Sequence, residues 1–538
     1  MFIPRVKEEK ITGKTKIKRS LKLFLADDTA KRASSAICEF IPYLKFNICE
    51  KKAAADLVLA TIPGISEKSE YYVLETKNGK GSITAKDFRG HINALATLSQ
   101  MIYFENSEFY LLNAKIYDYP DKSFRSFMVD TGRKYIPISE FKAQILFMAR
   151  AKLNKLHIHL SDAEGFSINF DNYKNLPSPD KKNGKKYTKE EIRELINYAS
   201  ALGIDIIPEL DMPAHSFGLT IAYPELLCKT KNTANGWVTC ISSDAFYEYA
   251  KKLLSEIAEL FPYEYIHIGT DEIDMRDVFN GRYMKHQFLD WNECEICQRN
   301  FKKLGLKTVT ERFYYFINRV YDIVSALGKK MMIWNDNIDI KESPEIPRDI
   351  LIEFWRIAAP KRGPRENCSM RRFLEEGFEV VNAHFPYAYI GDQTREKLFL
   401  FDVEREYHDF PANSGYEHAV LGGEGCAWDD RYYIKYSLYS FVAMIAERCY
   451  NNYSKTPDAE ETELALTRFT LGITVPKNFN IQNYLKDFIP NEKAPDTIFK
   501  NGADLYELRE VLTSLKKQLP SEKLQAKAYL GEVSRHIK

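Results

Sequence analysis

From Phe127 onward the chain repeats one rhythm: a short apolar run, a polar loop, then an amphipathic stretch with helical spacing. The apolar runs are FMVDTG, KLHIHL, IDIIPEL, YIHIGT, KMMIWND, ILIEFW, FEVVNA and AVLGGEGCAW. Between most of them lie ISEFKAQILFMARAK, KEEIRELINYASALG, AFYEYAKKLLSEIAELF and ERFYYFINRVYDIVSALG, with apolar residues on one helical face. Eight strands alternating with helices predict an α/β fold, a (β/α)8 TIM barrel over residues 123–455. A doubly wound open sheet is the competitor, but it needs a glycine-rich turn after its first strand, and VDTGRKYIP offers a single glycine.

Residues 1–122 read as a small α+β domain: LKLFLA, a helix around Thr29 to Pro42, ADLVLATI, YYVLETK, a helix in AKDFRGHINALATLSQMI, and FYLLNAKIYDYP. No cluster of His, Cys or carboxylates suggests chemistry there, so its expected role is structural. Residues 456–538 read as a polar helical region that packs on the barrel or on a partner chain.

Charge excludes some partners. Lys plus Arg total 76 against 75 Asp plus Glu, which gives no overall field to attract nucleic acid or an anionic membrane. The N-terminal MFIPRVKEEKITGKTKIKRS is basic but has no apolar core of a signal peptide, and no run approaches the roughly 18 apolar residues of a membrane span. A soluble, cytoplasmic protein is the expectation. Nine cysteines are too sparse for a disulfide scaffold. Cys294 and Cys297 have the two-residue spacing of metal-binding thiols, with Cys228 and Cys240 upstream. Free thiols or a local loop staple are the plain reading, and a four-thiolate zinc site is the alternative.

A barrel enzyme carries its chemistry at the C-terminal ends of its strands. Those ends hold Asp130 and Arg133; His157, His159 and Asp162; Glu209, Asp211 and His215; His267, Asp271 and Glu272; Trp334 and Asp336; Trp355; and Glu424, Trp428 and Asp430. Three of the five tryptophans in the chain fall at these ends, where flat aromatic faces suit a sugar ring or an acyl group. Carboxylates beside aromatic walls suggest glycoside hydrolysis. Adjacency complicates that reading, because in a regular strand Asp271 and Glu272 point to opposite faces. Both can serve one substrate only if the strand ends or bends there.

In order along the chain, DTGRKYIP, KLNKLHIHLSDAEGF, IIPELDMPAHS, HIGTDE, IWND, FWR, VVNAHFPYAYIGD, GGEGCAWDD and AERCY resemble the motifs of the β-N-acetylhexosaminidases of glycoside hydrolase family 20. WNECEICQRN is similar to a cysteine-bearing loop of bacterial members, and the likeness runs from about residue 55 to 450, including the preceding α+β domain. The resemblance implies that the substrate's 2-acetamido oxygen is the nucleophile, an exception to the two-carboxylate rule that needs no cofactor or metal. It implies that Glu272 is the acid/base and that Asp271 orients the acetamido N–H. It further implies that His215 with Asp162 supports the acid/base, that Asp211 is a neighbouring carboxylate of the motif, and that Arg133 grips the 3- and 4-hydroxyls. Trp334, Trp355 and Trp428 match the aromatic box around the acetamido group, and Tyr389 its hydroxyl donor. Asp430 stands where the family usually has the Glu that holds the 4-hydroxyl.

The chain departs from the pattern at Thr270 and Ala214, each in place of Gly, and at Ala163, in place of Asp. Gly391 stands where an acidic or amide residue contacts the 6-hydroxyl, a contact Asp392 is positioned to take over. The expected function is removal of terminal β-linked GlcNAc or GalNAc from a glycan substrate. Two rivals stay open on residues alone. One is a metal-dependent barrel hydrolase using His157, His159, His215 and His267 as ligands; the other is a catalytically inactive sugar-binding relative.

Overall fold

The computed structural model describes residues 2–105, 108–229, 237–273, 290–336, 338, 346–356, 369–390, 401–406, 413–428, 435–452 and 469. The expected helical region 456–538 lies outside them apart from Phe469.

The N-terminal unit is a mixed sheet carrying two helices. Its strands are β1 (Glu8–Ile17), β2 (Ser20–Leu25), β3 (Lys45–Ile48), β4 (Leu57–Thr61), β5 (Tyr72–Lys77), β6 (Lys80–Ala85), β7 (Ile102–Glu105) and β8 (Glu108–Asp118). They lie in the order β1-β8-β5-β6-β4-β2-β3, with β7 paired to β8. The helices Asp28–Phe40 and Phe88–Gln100 are each capped by an aspartate, Asp27 and Asp87, whose side chain accepts from a first-turn N–H. The α+β expectation therefore stands, with one addition. The segment Glu8–Ile17, which reads as a basic tail, is an edge strand along β8, and its side chains are mostly exposed.

The barrel strands are β9 (Phe124–Asp130), β10 (Lys155–His159), β13 (Asp205–Glu209), β14 (Tyr265–His267), β15 (Lys330–Trp334), β16 (Leu351–Phe354), β17 (Val380–Asn382) and β18 (Val420–Ala427). They close in the order β10-β13-β14-β15-β16-β17-β18-β9, all parallel. A short ribbon, β11 (Ser161–Asp162) with β12 (Gly165–Phe166), follows β10. The long helices Ile138–Arg150, Lys189–Ala201, Asp244–Leu260 and Val309–Ala326 fall on the four amphipathic stretches. Glycine makes closure possible, since a Cβ on Gly422 would sit 1.6 Å from the Phe124 carbonyl oxygen of the neighbouring strand.

Buried ion pairs join the two units. Lys152 and Asp118 pair at 2.6 Å with both side chains inaccessible, and Tyr72 and Tyr450 donate to the same aspartate at 2.8 and 2.9 Å. Arg125 at the start of the barrel pairs with Glu70 at 2.6 Å. Such pairs specify geometry, because removing one partner strands a buried charge. No helix among the described residues is long and apolar enough to cross a membrane.

Candidate active site

The adjacent carboxylates are resolved by the backbone. Strand β14 ends at His267, and Ile268 and Gly269 finish its ladder through Ile268 N–H to Met332 and Trp334 N–H to Gly269. The next residues turn sharply: Gly269, Thr270 and Glu272 have φ of 72°, 83° and 51°. That left-handed geometry breaks the strand's alternation, so Asp271 and Glu272 both face the barrel mouth. Thr270 is a β-branched residue in this region, a strained position. Gly269 admits nothing larger, because a Cβ there would lie 1.9 Å from Asp211 Oδ1.

His215, itself at φ 52°, sits between the pair and its support. Its Nδ1 lies 3.1 Å from Asp162 Oδ1, and its Nε2 lies 3.5 Å from Asp271 and 3.4 Å from Glu272. The carboxylates differ in access: the Asp162 side chain is 1% exposed and the Glu272 side chain 23%. Asp271 Oδ1 has no hydrogen-bond partner among the described residues, which leaves it available to a ligand.

Charge follows from this packing. Burial works against ionisation of Asp162, but His215 and Arg133 outweigh it and hold its carboxyl well below the usual range. Burial would lower the His215 imidazole, yet Asp162, Asp211 and Asp271 together raise it well above its ordinary value. Burial raises Asp271, reinforced by Asp336 and Glu272 and opposed by His215. Asp211 is pushed well above the carboxylate range by burial and then by Asp271, which favours its neutral form.

Arg133 reaches the site from the loop after β9. It pairs with Asp130 at 2.9 Å and Asp162 at 2.6 Å, and its guanidinium lies 5.3 Å from the Trp428 ring centre. The aromatic box assembles from the ends of four strands: Trp334 and Trp428 have ring centres 5.9 Å apart, Tyr389 lies 5.9 Å from Trp428, and Trp355 stacks on Tyr389 at 6.1 Å and 8°. Tyr389 is held by pairing of its backbone with Cys426 of β18. Asp430 and Asp392 lie outside the described residues. Every other predicted site residue is brought to this one mouth.

Trp237 and Glu353 were not singled out by sequence, and Asp336 was named only by its place at a strand end, with no role. Trp237 packs its ring 4.3 Å from that of His215 and donates its indole N–H to the Glu272 carbonyl at 3.1 Å. Asp336 accepts the Glu272 backbone N–H at 3.1 Å and pairs with Arg356 at 2.8 Å, tying strand ends five and six to Glu272. Glu353 joins a buried network with His157, His159, His267, Glu209 and Glu424 beneath the box. An acidic residue inside the apolar run ILIEFW was the available signal for it.

Burial disfavours the cation of His157, but Glu424 and Glu209 lift it to about 9, and His159 is raised well above normal against burial, chiefly by Glu209. Glu209 and Glu424 are lowered against burial by these histidines. Burial lowers His267 and, with Glu424 and Glu209, raises Glu353. Trp334 donates to Glu209 at 2.9 Å, so the network positions the box. Geometrically, His157 with Glu209 and His267, or with Glu353 and Glu424, could each hold a metal. The nitrogens of His157, which both sets share, already face carboxylates, Glu424 at 2.8 Å on Nδ1 and Glu209 at 3.2 Å on Nε2.

Comparison with known proteins agrees with this architecture. The family model for the catalytic domain of glycosyl hydrolase family 20 matches residues 123–453. The chain is 27% identical over 376 residues to the β-hexosaminidase subunit beta of Sus scrofa, covering 69% of this chain and 66% of that protein. It is 27% identical over 318 residues to a β-hexosaminidase of Porphyromonas gingivalis, covering 55% of this chain and 39% of that one. In fold it is similar to the Vibrio harveyi family 20 exo β-N-acetylglucosaminidase in complex with N-acetylglucosamine, with a TM-score of 0.74, 22% identity and coverage of 87% and 76%. The β-N-acetylhexosaminidase of Bacteroides fragilis gives a TM-score of 0.71, 22% identity and coverage of 87% and 94%. With its family model spanning the whole barrel, the chain belongs to glycosyl hydrolase family 20.

Proposed function

We propose that this chain is an exo-acting, retaining β-N-acetylhexosaminidase that removes terminal β-linked GlcNAc or GalNAc from glycans, with the substrate's own 2-acetamido group as nucleophile. The carrying observation is the left-handed turn that lets His215 face both Asp271 and Glu272, with the Glu272 side chain the more exposed of the two, 23% against 12%. In the first step the Glu272 carboxyl gives its proton to the glycosidic oxygen as the C1–O bond breaks. The acetamido carbonyl oxygen bonds to C1 from the opposite face, and the positive charge spreads onto the acetamido nitrogen. Asp271 accepts the hydrogen bond of that N–H. A carboxylate disfavoured by burial and by neighbouring anions gains most when a cation develops beside it. In the second step the Glu272 carboxylate takes a proton from water, the hydroxide oxygen attacks C1, and the bond to the acetamido oxygen breaks, restoring the β-configuration.

Trp334, Trp355 and Trp428 enclose the acetamido methyl, Tyr389 donates to its carbonyl, and Arg133 spends its remaining N–H donors on the 3- and 4-hydroxyls. Asp211 packs its carboxyl against Gly269, in the turn that carries Asp271. Asp430 and Asp392 are the candidates for reading positions 4 and 6. Aryl β-glycosides of GlcNAc, GalNAc, 6-sulfated GlcNAc and a disaccharide, with the first anomer recorded by NMR, test this. Turnover of GlcNAc or GalNAc glycosides with retention is expected. Inversion, or binding without turnover of any of them, overturns it.

A further inference from the structure

Away from the barrel mouth, Cys228, Cys240, Cys294 and Cys297 converge in one buried cluster with their four sulfurs within 4.8 Å of one another. Chain pairing explains the convergence. A bridge between Leu227 and Thr239, with Cys240 N–H donating to the Leu226 carbonyl at 2.8 Å, aligns the first two cysteines. Cys294 occupies the N-cap position of the helix Glu295–Lys303 and Cys297 lies in its first turn, which puts the other two on one helix end.

The spacing is that of ligands. Four thiolates about 2.3 Å from a tetrahedral centre lie about 3.8 Å from one another. Here Cys297 Sγ is 3.8 Å from Cys228 Sγ and 3.4 Å from Cys240 Sγ. A disulfide brings sulfurs to about 2 Å and selects one partner, whereas Cys297 sits comparably near two. Ser242 Oγ donates to Cys297 Sγ at 3.3 Å, and the helix start adds positive potential, both favourable to thiolate charge.

We propose that these four cysteines bind one zinc ion in a closed, structural site. Its position gives it a task. The metal ties the segment around Cys240 to the helix after Cys294, and Trp291 reinforces the tie by donating to the Thr239 carbonyl at 2.9 Å. Thr239 N–H donates to the Pro213 carbonyl at 2.9 Å, and Ser216 N–H to the Trp237 carbonyl at 3.0 Å. Trp237 in turn backs His215 and the Glu272 carbonyl. The zinc knot therefore holds the wall against which the histidine and the acid/base backbone rest, without touching substrate.

The test is the metal content of the full chain, purified without chelator or metal-affinity resin from cells grown with zinc. About one zinc per chain is expected by plasma mass spectrometry, released by a mercurial in step with blocked thiols. Exchange with cobalt should give the intense visible bands of tetrahedral thiolate coordination. A Cys38→Ser/Cys49→Ser double variant, altered at cysteines outside the cluster, should keep the metal; Cys294→Ser/Cys297→Ser, where it folds, should lose it, with kcat falling more than KM rises. Wild-type protein without zinc, whether its four sulfurs are found as free thiols or as disulfides by mass spectrometry, overturns the proposal, as does cobalt bound without thiolate bands. Because metal content is read without turnover, failure of this inference and failure of the hydrolase reading are separate results.

Discussion

Replacing Asp162 with Asn tests the proposed support of Glu272 by Asp162 through His215. The side chain meets His215 at 3.1 Å, His159 at 2.9 Å and Arg133 at 2.6 Å, with 1% exposure. Removing one member of a buried pair destabilises by roughly 3–5 kcal/mol. The lower end applies, because Arg133 keeps Asp130 and His159 keeps Glu209. Asp162 is lowered when folded, so its contribution is present above the unfolded carboxylate pKa and lost as pH falls through the folded one. His215 is raised, so its contribution is present below the unfolded histidine pKa and lost as pH rises through the folded one. The stability gap between wild type and variant is therefore widest between those limits and closes toward both. In catalysis, His215 without Asp162 gives up its proton at lower pH, so kcat falls by roughly 10²-fold and its alkaline limb moves toward acid. Denaturant unfolding across pH and a kcat–pH profile on an aryl glycoside check both. A variant with wild-type kcat and an unmoved alkaline limb refutes that support.

Other outcomes follow from the same geometry. Glu272→Gln should abolish turnover of natural glycosides and spare far more activity on substrates whose leaving group needs no proton, compared by kcat/KM. Trp237→Phe removes the donor to the Glu272 carbonyl and should lower kcat about fivefold, roughly one hydrogen bond, with KM little changed. Gly269→Ala should destabilise by about 3 kcal/mol or more through overlap with Asp211, whereas Gly415→Ala, with φ 88° and open space around it, should lose only about 1 kcal/mol in the same thermal-melt comparison. Brief EDTA treatment that leaves the cysteine-bound metal in place should leave kcat/KM unchanged; loss restored by added zinc at constant cysteine-bound zinc would revive the metal-hydrolase reading.

The barrel was legible because each strand carries a short, largely apolar run and the long helices have a one-sided stripe, both local signals. The period of two in KLHIHL placed His157 and His159 on one face, and both point inward. Strand β1 was not legible, since its side chains are largely exposed and its partner lies about a hundred residues away. Spacing alone said that Asp271 and Glu272 required a bend; the φ values of Gly269, Thr270 and Glu272 supply it, and nothing in the letters Thr-Asp-Glu announces a left-handed turn. Trp237 was invisible as a functional residue because it meets Glu272 only through the folded loop, 35 positions along the chain. The cysteine cluster was half legible: Cys294 and Cys297 form a motif, but Cys228 and Cys240 join it through one backbone bridge.

The central claim is that Asp271 holds the acetamido group that attacks. Its most direct test is the affinity of an N-acetylglucosamine thiazoline, a mimic of the cyclic intermediate, for wild type and for Asp271→Asn, measured by inhibition or calorimetry. Loss of a charge-assisted hydrogen bond of about 1.5–3 kcal/mol predicts binding weaker by roughly 10- to 100-fold. Equal affinity for the two proteins contradicts the account.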